Sequence, residues 1–302
     1  MKLPIIDFSD YDEAEPETIK TIARDMERAL TTLGFMSISN LDVTREQLAE
    51  IFTLSEAFFA QSKEAKQKSL YLSAEENFGY QGLGVEYLDP TKPADGKVRF
   101  TMRNLQHHDP ADERWPSDFF RDKMTRFYAD CLSSAHKVQR VLAKILETES
   151  DFFVRYHNGE NVSLRLLHYP QTDASSIADG QLGAGAHTDY GMITLLFQSG
   201  VGGLQVLDGG EWVDADPVDN TIVVNTGDLM ERWTNGRFKS TLHRVQPRTG
   251  QRSRSSIAMF VDPDTETPVE VLKSCIDDAH PAQYEKITAG EHIQQKIQAT
   301  HL

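Results

Sequence analysis

Two stretches of the chain place metal-binding side chains where they can act together. His187-Thr188-Asp189 follows the glycine-rich Gly183-Ala184-Gly185-Ala186 and precedes a β-prone run. Residues i and i+2 of an extended segment share a face, so this imidazole and carboxylate can grip one ion. His243 lies 54 residues beyond Asp189, in another β-prone run. Two imidazoles and one carboxylate on one side of an ion suit Fe(II) and leave three positions open, as oxygen chemistry requires. A second His-x-Asp, His107 and Asp109, sits among polar residues and runs straight into Pro110. Without an adjoining strand to hold it rigid, it is expected to bind nothing.

Arg254-Ser255-Ser256 opens the last β-prone run after His243. Here too i and i+2 share a face, and a guanidinium fork beside a hydroxyl is suited to holding a carboxylate. Arg254 also ends a run from Arg232 with seven bases and no acid. Apart from Arg254, these bases are expected to lie solvated on a pair of strands.

These residues need a scaffold, and the hydrophobic pattern describes one. Leu3 to Phe8 reads as a strand, followed by a helix with Ile19, Ile22, Met26, Leu30 and Leu33 on one face and Gly34 as its stop. A strand near Phe35–Ile38 precedes a helix opened by the capping box Thr44-x-x-Gln47. A long helix runs from near Ser117 to Glu147, with Cys131 among the packing residues of its apolar stripe. From Asn161 the texture changes to short β-prone runs: 162–169, 192–198, 203–207, 221–225, 241–246 and 255–261. Turn signals such as Asp208-Gly209-Gly210 and Asn235-Gly236 separate them. This spacing predicts a mainly β fold, a jelly-roll core with flanking α-helices. No linker divides the chain, so one domain is expected over 1–302: a mainly helical region over 1–150, the core over 160–262 and a helical tail over 263–302.

Composition removes other classes. The formal charge is −15 over 302 residues, which disfavours nucleic acid and anionic membrane surfaces as partners. Residues 1–60 carry 12 acids against 5 bases, and residues 261–302 carry 8 against 3, so most of the excess lies at the two ends. Two cysteines, Cys131 and Cys275, make no disulfide framework and point to a reducing compartment. Acids arrive early in MKLPIIDFSDYDEAEPE, no apolar run is long enough to span a bilayer, and a cytoplasmic location is expected. The oligomeric state is not readable here, and a monomer is compatible with everything above.

The residues also resemble a known family, the non-haem iron(II)- and 2-oxoglutarate-dependent oxygenases of the isopenicillin N synthase-like branch. The resemblance rests on Gly202-Gly203-Leu204-Gln205, Trp212, Asn225-Thr226-Gly227-Asp228, Thr234-Asn235-Gly236 and Ser240-Thr241-Leu242-His243-Arg244-Val245. Upstream, Pro4-Ile5-Ile6-Asp7, Gly34-Phe35, Phe58-Phe59, Lys66 and Gly79-Tyr80 are similar as well. It covers most of the chain, and the segments near 85–115 and 171–182 match poorly.

The resemblance implies a double-stranded β-helix with Fe(II) on His187, Asp189 and His243, and 2-oxoglutarate held by Arg254, Ser256 and Tyr169. O2 would be the second cosubstrate, ascorbate a supporting reductant, and succinate and CO2 the coproducts. The presence of Asp189 points to hydroxylation, desaturation or ring closure, since halogenating relatives lack this carboxylate. Leu167 stands where many relatives carry an asparagine, Asn40-Leu41-Asp42 replaces Asn-His-Gly, and Arg99 takes the place of an acid. The variable segment 80–103, which carries Lys97 in its mix of aromatic and cationic groups, is expected to form the substrate mouth, with Tyr80, Tyr87, Arg99, Phe100 and Arg103 facing a small polar or anionic molecule. Two alternatives stay open at this point: an iron oxidase of the same fold that uses no 2-oxoglutarate, and a non-catalytic small-molecule-binding jelly roll.

Overall fold

Strands and helices alternate from the start of the chain. The computed structural model describes residues 2–247, 249 and 252–300, so Arg248 of the basic run lies outside the described residues. Strand β1 (Ile5–Asp7) leads into helix α1 (Pro16–Thr32) and returns parallel to itself as β2 (Phe35–Ser39). Gly34 makes that return with φ 74°, and a Cβ there would strike the Lys239 carbonyl, so only glycine fits. Helix α2 (Arg45–Phe59) opens at Thr44, whose hydroxyl accepts from the Gln47 N–H at 3.1 Å. The reciprocal half of the expected capping box is absent. The Gln47 amide instead donates to Asp130 at 2.6 Å, tying α2 to the long helix it packs on.

A short helix α3 (Lys63–Gln67) is followed by β3 (Gly79–Gln81), β4 (Val98–Arg103) and the long α4 (Asp118–Ile145). The Ser117 hydroxyl caps α4 by accepting from the Phe120 N–H. Its stripe Phe120, Met124, Phe127, Cys131, Ala135, Val138, Leu142 and Ile145 is buried. The first third therefore supplies four strands as well as its helices.

The remaining strands are β5 (Val162–Tyr169), β6 (Ala184–His187), β7 (Ile193–Gln198), β8 (Leu204–Asp208), β9 (Glu211–Asp214) and β10 (Thr221–Thr226). After helix α5 (Asp228–Trp233) come β11 (His243–Val245), β12 (Arg254–Val261), β13 (Pro268–Val269), β14 (Ile287–Thr288) and helix α6 (Ala289–Thr300). An eight-stranded sheet in the order β1-β2-β10-β7-β12-β5-β4-β3 faces a four-stranded sheet β6-β11-β8-β9. Together they form a double-stranded β-helix. Among the described residues no helix is long and apolar enough to cross a membrane.

Strand alternation divides the large sheet into two faces. Leu164 and Leu166 of β5, with Ile257, Met259 and Val261 of β12, join the core that α1, α2 and α4 close from outside. The intervening residues point inward, toward the smaller sheet. On that inner face the register sets Tyr169 opposite Arg254, Leu167 opposite Ser256, Arg165 opposite Ala258 and Ser163 opposite Phe260. The functional surface is thus a set of rows across β4, β5 and β12.

Two expectations need correction. The basic run is no solvated strand pair: it spans the end of α5, a connecting segment, β11 and the start of β12. Several of its bases are fixed, Arg237 on Glu27, Lys239 on the Thr32 carbonyl and Arg244 stacked 4.1 Å from the Trp212 ring. The second correction concerns Phe100, which points away from the inner face. It is fully buried among Phe58, Phe78 and Phe120, with ring centroids 5.0–5.7 Å away. Period-2 alternation on β4 sends residues 98, 100 and 102 to the helix side. Phe100→Ala should therefore cost about 3–5 kcal/mol in denaturant titrations, with the substrate KM of the surviving folded fraction unchanged. A raised KM with unchanged stability would instead return Phe100 to the substrate mouth.

Candidate active site

His187 ends β6 and His243 begins β11, and these two residues are direct partners in the antiparallel register. Their rings lie 4.3 Å apart between centroids. Each Nδ1 sits on a backbone carbonyl, His187 on Gly185 at 2.7 Å and His243 on Thr241 at 3.1 Å. A carbonyl only accepts, so Nδ1–H donates in both, and in the neutral tautomer this leaves on Nε2 the lone pair a metal needs. Both Nε2 atoms face Asp189 Oδ1, at 3.9 and 3.8 Å. The three donor atoms all lie within 4.8 Å of one another, the one such group found among the described residues.

Asp189 is placed differently from expectation. The strand ends at His187, and Asp189 lies in the turn beyond it. That turn docks on the start of α5, where the Asp228 and Leu229 N–H groups donate to the carbonyls of Asp189 and Gly191. A Cβ on Gly227 would come within 2.5 Å of the Gly191 oxygen and 2.7 Å of the Asp189 oxygen, so the close approach depends on glycine. Asp189 Oδ2 accepts from the Thr194 hydroxyl at 2.6 Å and the Asn225 amide at 2.7 Å, which turns Oδ1 toward the imidazoles. Burial works against its charge, but His243, His187 and these two donors outweigh burial and hold the carboxyl below its usual value. Burial and the neighbouring His243 push the His187 imidazole down, so it stays neutral. One carboxylate oxygen and two imidazole nitrogens converging on one space are the ligand set that Fe(II) accepts.

The same space opens into a cavity of about 320 Å³. Arg254 is fully buried in its wall, with its guanidinium 4.7 Å from the Tyr169 ring centroid. Its Nη1 donates to Ser256 Oγ and its Nη2 to Gln198 Oε1, each at 3.1 Å. Leu88, Leu196, Leu204 and Val245 supply apolar wall to the same cavity. A buried guanidinium, a hydroxyl and a phenol ring on one wall fit a carboxylate at that end.

Of the five residues expected at the substrate mouth, Arg103 reaches the cavity wall. It donates to the Glu160 and Glu75 carbonyls and to Asn161. Tyr80 packs against Phe58 and Phe59, Tyr87 is exposed, and Arg99 is held by Glu86 and Gln81. With Phe100 in the core, these four lie outside the wall. His107 is exposed and Asp109 turns back to accept from the Ala111 N–H, so this pair does not converge.

Other wall residues were missed: Arg165, Phe260 and Asp262, with Thr194 and Asn225 behind the triad. The signal for three of them was present. Continuing the i, i+2 step from Arg254 and Ser256 gives Ala258, Phe260 and Asp262. The same step back from Tyr169 gives Leu167, Arg165, Ser163 and Asn161. All of these line the cavity.

Comparison with known proteins follows the same outline. Residues 149–263 match the 2OG-Fe(II) oxygenase superfamily, and residues 3–120 match the family described as non-haem dioxygenase in morphine synthesis N-terminal. The 2-oxoglutarate-dependent dioxygenase frbA of Dothideomycetidae sp. is 30% identical over 329 residues, covering 100% of this chain and 98% of its own. The 2-oxoglutarate-Fe(II) type oxidoreductase hxnY of Emericella nidulans is 30% identical over 307 residues, covering 96% and 88%. A full-length Neurospora crassa protein, solved in complex with alpha-KG and thymine, superposes with a TM-score of 0.87 at 32% identity. That match covers 99% of this chain and 97% of the fungal one.

The geometry makes two predictions. Asn225→Ala should weaken divalent-metal binding about 10–100-fold in anaerobic Fe(II) titrations while the chain stays folded. Unchanged affinity would show that Asp189 needs no such orientation. The second concerns Asp262, whose Oδ1 accepts from the Met192 N–H at 3.2 Å. Burial first, then repulsion from Asp189, pushes this carboxyl up to about 7. Between about pH 4 and that value the folded chain keeps a proton that the unfolded chain has released. Its stabilising contribution is therefore present in acid and lost as pH rises through 7. Asp262→Asn retains an acceptor for Met192, so the metal-free variant should gain on the wild type by up to roughly 4 kcal/mol between about pH 4 and pH 8. A parallel pH dependence in denaturant titrations of the two proteins would contradict this.

Proposed function

This chain belongs to the iron(II)- and 2-oxoglutarate-dependent oxygenases of the isopenicillin N synthase-like class, and from that premise we propose how its residues share the work. It is a dioxygenase that uses Fe(II), 2-oxoglutarate and O2. Neither alternative, an oxidase without 2-oxoglutarate or a non-catalytic binding protein, has an observation in its favour. The iron and its cosubstrates supply the oxidation of a C–H bond, with succinate and CO2 as coproducts. His187 and His243 offer Nε2 to the metal and Asp189 offers Oδ1. Arg254 and Ser256 take the distal carboxylate of 2-oxoglutarate, and Tyr169 lends its hydroxyl. The apolar wall keeps water from the reacting atoms. The observation that carries this reading is the convergence of three ligand atoms in the same cavity as a buried guanidinium.

The substrate would lie in the far half of the cavity. There the Arg165 guanidinium stacks 4.8 Å from the Phe260 ring, and its buried Nε has no partner among the described residues. Arg103, Asn161, Ser163 and Asp262 surround it. An unpartnered buried donor over an aromatic face suits a small, flat, polar molecule that presents an acceptor to Arg165. The Neurospora crassa protein is crystallised with thymine and with 5-formyluracil, so small carbonyl-bearing heterocycles are the first compounds to assay. The outcome would be hydroxylation, desaturation or ring closure. One domain, in which strands from both halves share the large sheet, and a cytoplasmic location with Cys131 and Cys275 as free thiols complete the proposal.

Anaerobic addition of Fe(II) and 2-oxoglutarate should produce the weak visible charge-transfer band of the chelate, and oxygen with substrate should release succinate. His187→Ala should lose both signals and His107→Ala neither. Absence of band and succinate in the wild type would refute the assignment. Arg165→Leu should raise the substrate KM about 10–100-fold, as loss of a charge-assisted hydrogen bond does, with little change in the 2-oxoglutarate KM.

A further inference from the structure

One buried ammonium in the cavity wall has no part in the division of labour above. Lys97 immediately precedes β4, and extending the β4–β5 register by one residue sets it opposite Tyr169. Tyr169 is itself paired with Arg254, so Lys97, Tyr169 and Arg254 form one row across the inner face. Lys97 is buried and lines the cavity together with Arg254, Ser256 and His187. Its Nζ donates to Asp95 at 2.6 Å and contacts Glu86 at 3.0 Å. Burial disfavours the ammonium, yet Glu86 and Asp95 outweigh burial and keep it charged.

An ammonium has three N–H donors: one goes to Asp95, and Glu86 stands beside it at ion-pair distance. No third partner is present among the described residues. Local charge also leaves a surplus. Lys97, Arg99 and Arg165 surround Glu86, and Asp95 is the second carboxylate of the group, so three cations face two acids. The group is anchored beside the metal ligands, because Asp95 Oδ1 accepts from the Gly185 N–H at 2.9 Å and Gly185 stands two residues before His187. The Gly96 N–H donates to Leu182 and fastens the same segment a second time.

The geometry points to Lys97 as a further binding residue for 2-oxoglutarate, donating its remaining N–H to the dianion between Arg254 and His187. This rests on the reading that Arg254 holds one carboxylate of 2-oxoglutarate and that the triad binds iron at the other end. Asp95 and Glu86 then have a second role. They hold the ammonium in place, and they compete with the cosubstrate for it.

The test is calorimetric titration of 2-oxoglutarate into anaerobic, Fe(II)-loaded protein without substrate, on variants checked for folding by thermal melting. Lys97→Gln should weaken binding roughly 10-fold or more, as expected for loss of a charge-assisted hydrogen bond. That variant leaves the buried Asp95 carboxylate without its cation and could unfold, so Asp95→Asn and the double variant Lys97→Met/Asp95→Asn carry the decision. Asp95→Asn keeps the ammonium and removes a competitor, so its affinity should equal or exceed that of the wild type. The double variant removes one charge of each sign and should bind roughly 10-fold more weakly than Asp95→Asn alone. Equal affinity of those two proteins, or weakening by Asp95→Asn itself, would reduce Lys97 to a structural counter-ion and overturn the inference. Failure of the wild type to bind 2-oxoglutarate would overturn the underlying reading instead.

Discussion

The active site depends on one carboxylate held charged inside the protein. Asp189 is removed from water, and its charge is sustained by donors on the large sheet and imidazoles on the small one. Thr194 on β7 and Asn225 on β10 take one oxygen, while His187 on β6 and His243 on β11 face the other. A buried anion facing two imidazole nitrogens is a site that a divalent cation completes. The requirement ties the two sheets together, because neither alone provides both the orienting donors and the ligands. It also explains the tight backbone contact at Gly227, where any side chain would push the Asp189 turn off α5.

Outward from the metal ligands, the cavity is organised by strand periodicity. Successive inward residues of β5 and β12 form rows that pass from the cosubstrate end to the substrate end. Arg254 and Tyr169 occupy the first row, Ser256 and Leu167 the second, Arg165 and Ala258 the third, Phe260 and Ser163 the fourth. Such a layout lets one flat wall position two different small molecules without loops of great length. Helix α6 lends Ile293 and Ile297 to the wall, so the tail belongs to the site as much as to the fold.

Much of this was legible because strand alternation converts sequence spacing directly into shared faces. Strand β5 appears at its observed bounds, and the triad and the Arg254, Ser256 and Tyr169 group could be named from spacing and resemblance. What was lost follows from the same rule applied too briefly. Charged residues in 80–103 mask the alternation of β4, so Phe100 reads as a mouth residue, and an i, i+2 step stopped at Ser256 leaves Asp262 unassigned. The pairing of Glu27 with Arg237 was equally hidden, since two residues 210 positions apart leave no local trace of their contact. The acidic excess of the ends and the basic run beside His243 are thus linked in part by direct contact.

The central claim is that His187, Asp189 and His243 together hold one iron, and the iron's own scattering tests it most directly. X-ray absorption on the anaerobic Fe(II) protein should require two imidazole rings in its outer-shell fit, and His243→Ala should reduce this to one. A wild-type spectrum explained by oxygen donors alone, or one left unchanged by His243→Ala, would contradict the account.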